Sequence, residues 1–329
     1  MKALVTGGTG FVGASLVREL IAQSWEVRAL VRKESPGGNL EGLEVERIQG
    51  DLLDPTSLEK AMKGCDALFH CAAHYALWTP KPDLLYESNV TGTANILEVA
   101  GNLGIERIVY TSTVAAVGRP ENGSLGTEEH FVNPDKAVGH YKRSKVLAEQ
   151  KVREAAGNGL PVITVNPSAP VGPFDIKPTP TGQMILDFVR GKVPAYMDTG
   201  LNLVDVRDVA RGHILALEKG RPGERYILAN RNMTLKEIFD LLGTLTGIPS
   251  PRVRLPYFVA LAAAFFDEAI TGRVLGRTPR VTVSGVRMTK NKMWYDASKA
   301  IRELGFRQSP VEQALRDAVD WFRQNGYAN

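Results

Sequence analysis

The stretch Thr6-Gly7-Gly8-Thr9-Gly10-Phe11-Val12-Gly13 decides how this chain folds. Before it, Ala3-Leu4-Val5 reads as a short buried strand. After it, Phe11, Leu16, Val17, Leu20 and Ile21 make the apolar stripe of a helix. A glycine-rich turn between strand and helix leaves backbone N–H groups bare at the positive end of the helix dipole, where a pyrophosphate can sit. Gly7 suits the tight turn, Gly10 lets the backbone approach phosphate, and Gly13 lets helix and strand pack closely. Dinucleotide contacts are therefore expected from Gly7, Thr9, Gly10, Phe11, Val12 and Gly13.

Outward from that turn, apolar runs alternate with helical patterns. Strands are predicted at 2–6, 26–31, 44–49, 67–71, 106–111 and 161–165, with helices at 11–23, 55–63, 83–103 and 136–156. Near-continuous apolar strands such as Arg107-Ile108-Val109-Tyr110 call for a sheet covered on both faces. The expected fold is α/β, a doubly wound parallel sheet of the Rossmann kind, with ligands at the C-terminal edge of the strands. Pro170, Pro173, Pro178 and Pro180 break the rhythm and predict a long loop. Further helices are expected at 181–191, 205–218, 234–246, 255–270 and 310–325. The chain thus divides into a dinucleotide-binding part, 1–170, and a smaller mixed α/β substrate region, 171–329, some segments of which return to the first sheet.

Composition excludes several classes. A hydrophobic fraction of 43% against 23% charged residues is that of a folded globular protein, not a disordered one. The net charge of +4 comes from 40 basic and 36 acidic residues without a like-charged block, so no nucleic-acid partner is expected. Met1 runs straight into the first strand, leaving no room for a signal peptide. Cys65 and Cys71 lack metal-ligand spacing and read as reduced thiols of a cytoplasmic protein; no metal is expected. Tyr257 to Phe266 is apolar, but ten helical residues span about 15 Å, too short for a bilayer. It reads as a buried helix or part of a substrate lid, the alternative being a patch that meets a greasy substrate or a membrane surface.

The end of the second strand bears on which dinucleotide is bound. An acid about 20 residues after the glycines accepts from the ribose hydroxyls of NAD. Here Val31 takes that place and Arg32 follows, a guanidinium suited to a 2′-phosphate. NADP is expected ahead of NAD, and Glu34 is the residue that would reverse this by folding back on the ribose. Asp51, followed by Leu52, closes the third strand, where a carboxylate accepts from the adenine amino group or caps the helix beginning at Pro55. Ala72 and Ala73 end the fourth strand with side chains small enough for a ribose and diphosphate to lie against the backbone.

A second cluster, Tyr141-Lys142-Arg143-Ser144-Lys145, sets Tyr141 and Lys145 on one helix face. A phenol titrates near 10, and a neighbouring ammonium favours its anion and brings it toward the working range. Tyr110-Thr111-Ser112-Thr113 closes the fifth strand, so hydroxyls are expected at the same sheet edge, where one can donate to a substrate oxygen.

Together these residues resemble the extended short-chain dehydrogenases/reductases. The marks are the Thr6–Gly13 turn, Asp51-Leu52, the hydroxyl run ending in Thr113, Tyr141-x-x-x-Lys145, Asn166-Pro167-Ser168 with Val171-Gly172-Pro173, and the tail Asp296-Ala297-Ser298-Lys299-Ala300 leading to Glu303-Leu304-Gly305-Phe306. Within that family the chain is similar to dihydroflavonol reductases and to bacterial relatives called hopanoid-associated sugar epimerases. The resemblance implies a catalytic set of Thr113, Tyr141 and Lys145. It puts Asn89 beside the active site or holding the lysine, Arg32 on the NADP phosphate, and Pro167 beneath the nicotinamide. Thr113 stands where many members carry serine, and its methyl narrows the site.

The activity so implied is carbonyl reduction, with a tyrosine proton donor and a small-molecule substrate. Sugar epimerisation through a transient ketone is the alternative, and a non-catalytic dinucleotide sensor a remote one. A dehydratase is disfavoured, because Val114 and Ala115 replace the acidic pair that such enzymes carry after the hydroxyl. His74, Tyr75, Trp78, the 173–182 loop and the 255–270 segment are candidate substrate walls, with Lys177, Arg277 and Arg280 able to meet a diphosphate. A homodimer through the helices at 83–103 and 136–156 is a family-level expectation.

Overall fold

Strand β1 (Lys2–Thr6) buries Ala3 and Val5 in one apolar core and Leu4 in another, as a strand covered on both faces must. The structure is a computed structural model and describes residues 1–35, 37–120 and 123–328. From β1 the chain alternates through α1 (Phe11–Ala22), β2 (Glu26–Val31), β3 (Glu46–Gln49), α2 (Pro55–Met62) and β4 (Ala67–His70). Next comes α3 (Asp83–Tyr86), which widens into a π-turn over Glu87–Thr91 and continues as α4 (Gly92–Asn102). Then β5 (Ile108–Thr111), α5 (His140–Gly157) and β6 (Val162–Pro167) follow.

The second half runs β7 (Ala169–Val171), α6 (Pro180–Val189), β8 (Ala195–Tyr196), β9 (Gly200–Asp205), α7 (Val206–Lys219), β10 (Arg225–Leu228) and β11 (Arg231–Thr234). It finishes with α8 (Leu235–Thr246), β12 (Val253–Arg254), α9 (Tyr257–Asp267), α10 (Val283–Met288), α11 (Ser298–Leu304) and α12 (Val311–Gln324).

Seven strands form one sheet in the order β3-β2-β1-β4-β5-β6-β10, every neighbouring pair parallel. The winding reverses at β1, so the crevice between β1 and β4 opens at the C-terminal strand edge. Helices α1 and α7 fill one face with Leu16, Leu20, Val209 and Ile214. Helices α2, α4 and α5 fill the other with Leu58, Met62, Ile96 and Val152. Each such side chain contributes about 1.5–3 kcal/mol of burial. A third core joins α6, α8 and α12 against β7 and β9, with Phe188 stacked on Phe239 at 5.6 Å between centroids.

Three predicted features differ from what is observed. The proline loop contains β7, which pairs with β9 at the edge of a three-stranded sheet; Pro170 is tolerated there because an edge strand leaves one side unpaired. The helix expected over 83–103 carries the π-turn. The apolar segment after Tyr257 is not a buried helix: α9 turns only Ala260 and Ala264 fully inward, while Phe258 and Phe266 stand 72% and 69% exposed. Cys65 and Cys71 are both free thiols.

Candidate active site

Because every strand of the large sheet runs the same way, the segments after β1, β2, β3, β4, β5 and β6 gather at one edge. Gly7 turns with φ +68°, and a Cβ there would lie 2.7 Å from the Ala72 nitrogen, so the β1 and β4 ends are in backbone contact at the reversal point. A Cβ on Gly13 would come within 2.2 Å of the Gly7 carbonyl, whereas one on Gly10 would meet only that oxygen, at 3.3 Å. The space over Gly10 is open, and α1 starts without a side-chain cap, leaving the first helical N–H groups of Phe11, Val12 and Gly13 facing it. These residues fit a diphosphate. Asn39, buried, donates to the carbonyls of both Thr9 (3.1 Å) and Phe174 (3.2 Å), tying the turn to the second half of the chain.

At the end of β2 a cavity of about 240 Å³ is lined by Thr9, Val31, Arg32, Lys33, Ser35, Gly37, Leu40, Arg47 and Gln49. Among the described residues its walls carry three cations and no carboxylate; Glu34 is not part of it. Arg47 donates to the Leu40 carbonyl at 2.6 Å, which sets its guanidinium against the wall. After β3, Asp51 accepts from the Leu53 nitrogen at 2.9 Å, and the cap of α2 is Asp54, which accepts from Thr56. Leu52 is buried against Gly92. Ala72 is partly buried and Ala73 exposed beyond β4.

Tyr141 lies in the first turn of α5, its ring meeting the exposed Tyr75 edge-on at 4.3 Å. One turn on, the buried Lys145 Nζ donates to the Tyr110 hydroxyl and to the Thr111 carbonyl, each at 3.0 Å. Burial pushes the Lys145 ammonium down to about 8, against the partial support of Glu149 and Cys71. The expected lowering of Tyr141 by this lysine is corrected here: the phenol is raised above its usual value by burial, because the ammonium points to Tyr110 and Thr111.

Of the four hydroxyls closing β5, three turn inward. Tyr110 holds Lys145, Thr111 bonds His213 (2.8 Å) and donates to Cys71, and Ser112 donates to the buried Glu149. Thr113 alone remains at the edge, accepting from the Ala115 nitrogen at 3.2 Å, and among the described residues its own proton meets no acceptor. Asn89, on the π-turn, pairs with both backbone groups of His74 and donates to Ser144 on α5. It makes no bond to Lys145 and instead fixes the β4 loop against the helix carrying Tyr141 and Lys145. Pro167 ends β6 opposite Leu228 of β10.

Glu149, which sequence reasoning missed, is a third member of the Tyr141–Lys145 helix face. It accepts from Ser112, from Asn166 (2.9 Å) and from Arg225 (2.8 Å) in a site from which water is excluded. The i, i+4, i+8 spacing was the available signal. Burial holds the His74 imidazole below its usual value, with the charges of Arg32 and Lys177 adding to the effect. Arg277 and Arg280 lie exposed on the loop after α9.

The model of the NAD dependent epimerase/dehydratase family matches residues 3–229. The chain belongs to this family. It is 50% identical over 98% of its length to a Synechocystis protein proposed by its name to be a dihydroflavonol 4-reductase, covering 95% of that protein. It is 38% identical to sterol demethylase protein B of Methylococcus capsulatus, over 99% of both chains. The crystal structure of gox2253 superposes with a TM-score of 0.89 at 44% identity, over 99% of each chain. The protein is therefore an NAD-dependent-family enzyme with the extended short-chain dehydrogenase/reductase architecture.

Proposed function

We propose that this enzyme reduces a carbonyl with NADPH, Tyr141 delivering the proton. The observation that carries the reading is the cavity after β2, where Arg32, Lys33 and Arg47 converge without an acid. A 2′-phosphate would be held there by charge-assisted bonds, whereas the ribose hydroxyls of NAD would find no carboxylate. NADPH is the cofactor suited to net reduction. The name of the Synechocystis relative points the same way.

When bound, the reduced nicotinamide supplies the hydride. The chain supplies the rest. Thr113, already accepting from Ala115, donates its proton to the substrate oxygen and fixes the carbonyl. The Tyr141 phenol, kept protonated by burial, donates to the same oxygen as negative charge develops on it. Lys145, anchored by Tyr110 and Thr111, has one ammonium proton uncommitted among the described residues, one turn along α5 from the phenol, and would hold the nicotinamide ribose with it. Asn89 and Tyr75 position the loop and ring against which Tyr141 rests.

Titrating the purified protein with NADPH and NADH tests this. Tighter, exchangeable NADPH is the expected result, with weakening on Arg32→Ser. Tightly held NAD that co-purifies would overturn it in favour of epimerisation through a transient ketone.

A further inference from the structure

The segment from α9 through the π-turn at Glu268–Val274 is built inside out. Its buried residues are the small Ala260, Ala264 and Gly272, while Phe258, Phe265, Phe266, Ile270, Val274 and Leu275 are all exposed, Val274 at 78%. A helix folding against its own protein does the reverse, spending its large side chains inward. Phe258, Phe265 and Phe266 are seven and eight residues apart, so they share one helical face, and the π-turn extends it.

Charge along this segment is mostly of one sign, with Arg254 paired to Asp198 of the loop after β8. Between residues 252 and 292 the sequence has eight basic residues, Arg252, Arg254, Arg273, Arg277, Arg280, Arg287, Lys290 and Lys292, and two acidic ones. All eight basic residues are exposed. Both acids are turned toward backbone leading into α10: Asp267 accepts from the Val281 nitrogen at 2.9 Å and Glu268 from the Val283 nitrogen at 2.7 Å. The outer surface is thus an apolar ridge bordered by arginine.

We propose that this ridge docks the enzyme on an anionic lipid bilayer, lying in the interface and not crossing it. No described helix is long and apolar enough to span a membrane. An interfacial segment needs an aromatic-rich apolar face beside cations that reach lipid phosphates, and this one has both. A second copy of the chain is a poorer occupant, since a two-fold contact would set the same arginines against each other. Underneath, Gly272 packs so closely on Trp78 that a Cβ would lie 2.8 Å from the indole. Trp78 belongs to the loop whose Tyr75 rests on Tyr141, so docking brings the catalytic edge within one layer of the lipid. The inference does not depend on the reductase reading.

Sedimentation of the full chain with vesicles of phosphatidylcholine alone, or with a third phosphatidylglycerol, tests the proposal. Binding to the anionic vesicles only, reduced by high salt, is expected. Phe258→Ser/Phe266→Ser should weaken it by at least about tenfold, and Arg273→Glu/Arg277→Glu should do the same while leaving the apolar ridge intact. A native far-UV circular dichroism spectrum and melting transition confirm that each variant is folded; if the phenylalanine variant fails that check, the arginine variant decides. Absence of binding by the native chain, equal binding to both vesicle types, or retention of binding by a folded variant would each overturn the proposal. So would a dimer that the same substitutions dissociate in the absence of vesicle binding.

Discussion

Lys145 Nζ donates to the Tyr110 hydroxyl at 3.0 Å, so a tyrosine from the strand, not the one on its own helix, anchors the ammonium at the sheet edge. Tyr110 is fully buried, and burial holds its phenol well above the usual value, so it stays neutral and offers an oxygen lone pair. Tyr110→Phe keeps the ring packing and removes that acceptor. A bond to a charged group contributes about 1.5–3 kcal/mol. The expected outcome is a fall in kcat of about ten- to hundredfold with little change in KM, read by steady-state kinetics. An unchanged kcat would remove Tyr110 from the positioning set.

Tyr141→Phe deletes the proposed proton donor without disturbing the glycine turn proposed to hold the dinucleotide. Turnover should drop about 10²–10⁴-fold, the range for loss of a positioned acid, while NADPH affinity measured by fluorescence titration stays that of the native chain. Activity near the native level would transfer the proton step to another group.

Lys145 gives opposite trends in rate and stability with pH. It titrates near 8 in the fold and at 10.5 in an unperturbed setting. As pH rises through about 8 the ammonium is lost, and if Lys145 has its proposed role kcat/KM is expected to fall with it. Between about 8 and 10.5 the unfolded chain binds the extra proton, so this residue makes the fold relatively more stable as pH increases, and below 8 the cost of burying its charge is present in full. Denaturation midpoints of the native chain and of Lys145→Met isolate the effect: the native chain should gain on the variant over that interval.

Two alanine substitutions in the glycine turn separate folding from binding. Gly13→Ala drives a methyl into the Gly7 carbonyl and should cost about 1–3 kcal/mol or more of stability. Gly10→Ala meets the same oxygen at 3.3 Å and should leave the melting temperature close to native, yet weaken NADPH binding sharply by filling the diphosphate space. Calorimetry with and without cofactor distinguishes the two. Equal loss of stability in both would contradict the assignment of the open space.

Local pattern carried the nucleotide half. Its six predicted strands overlap the observed β1 to β6, since buried parallel strands are short apolar runs bounded by turns. The Tyr141–Lys145 pair was visible because helical spacing alone puts the two on one face. What escaped reading depends on distant residues. Glu149 looks like one more surface acid four residues after a lysine; only Ser112 just beyond β5, Asn166 of β6 and Arg225 of β10 make it a buried junction. Tyr110 reads as one of four hydroxyls at the end of β5, and its part as the anchor of the ammonium shows only when Lys145 arrives from α5. Likewise β7 is masked by Pro170, whose defect matters only if the strand has neighbours on both sides. The inverted face of α9 has the same origin: composition shows an apolar helix, but which side is left uncovered is decided by the elements that pack on it.

β10 fills the last place in the large sheet after a long detour through the second half of the chain. During synthesis from the N-terminus, Glu149 lacks its ion-pair partner until Arg225 follows 76 residues later, and β6 has a bare edge over the same interval. The nucleotide-binding layer therefore closes late. A polypeptide halted anywhere between these two residues would present an unmatched hydrogen-bonding rim, the kind of edge that other chains adhere to.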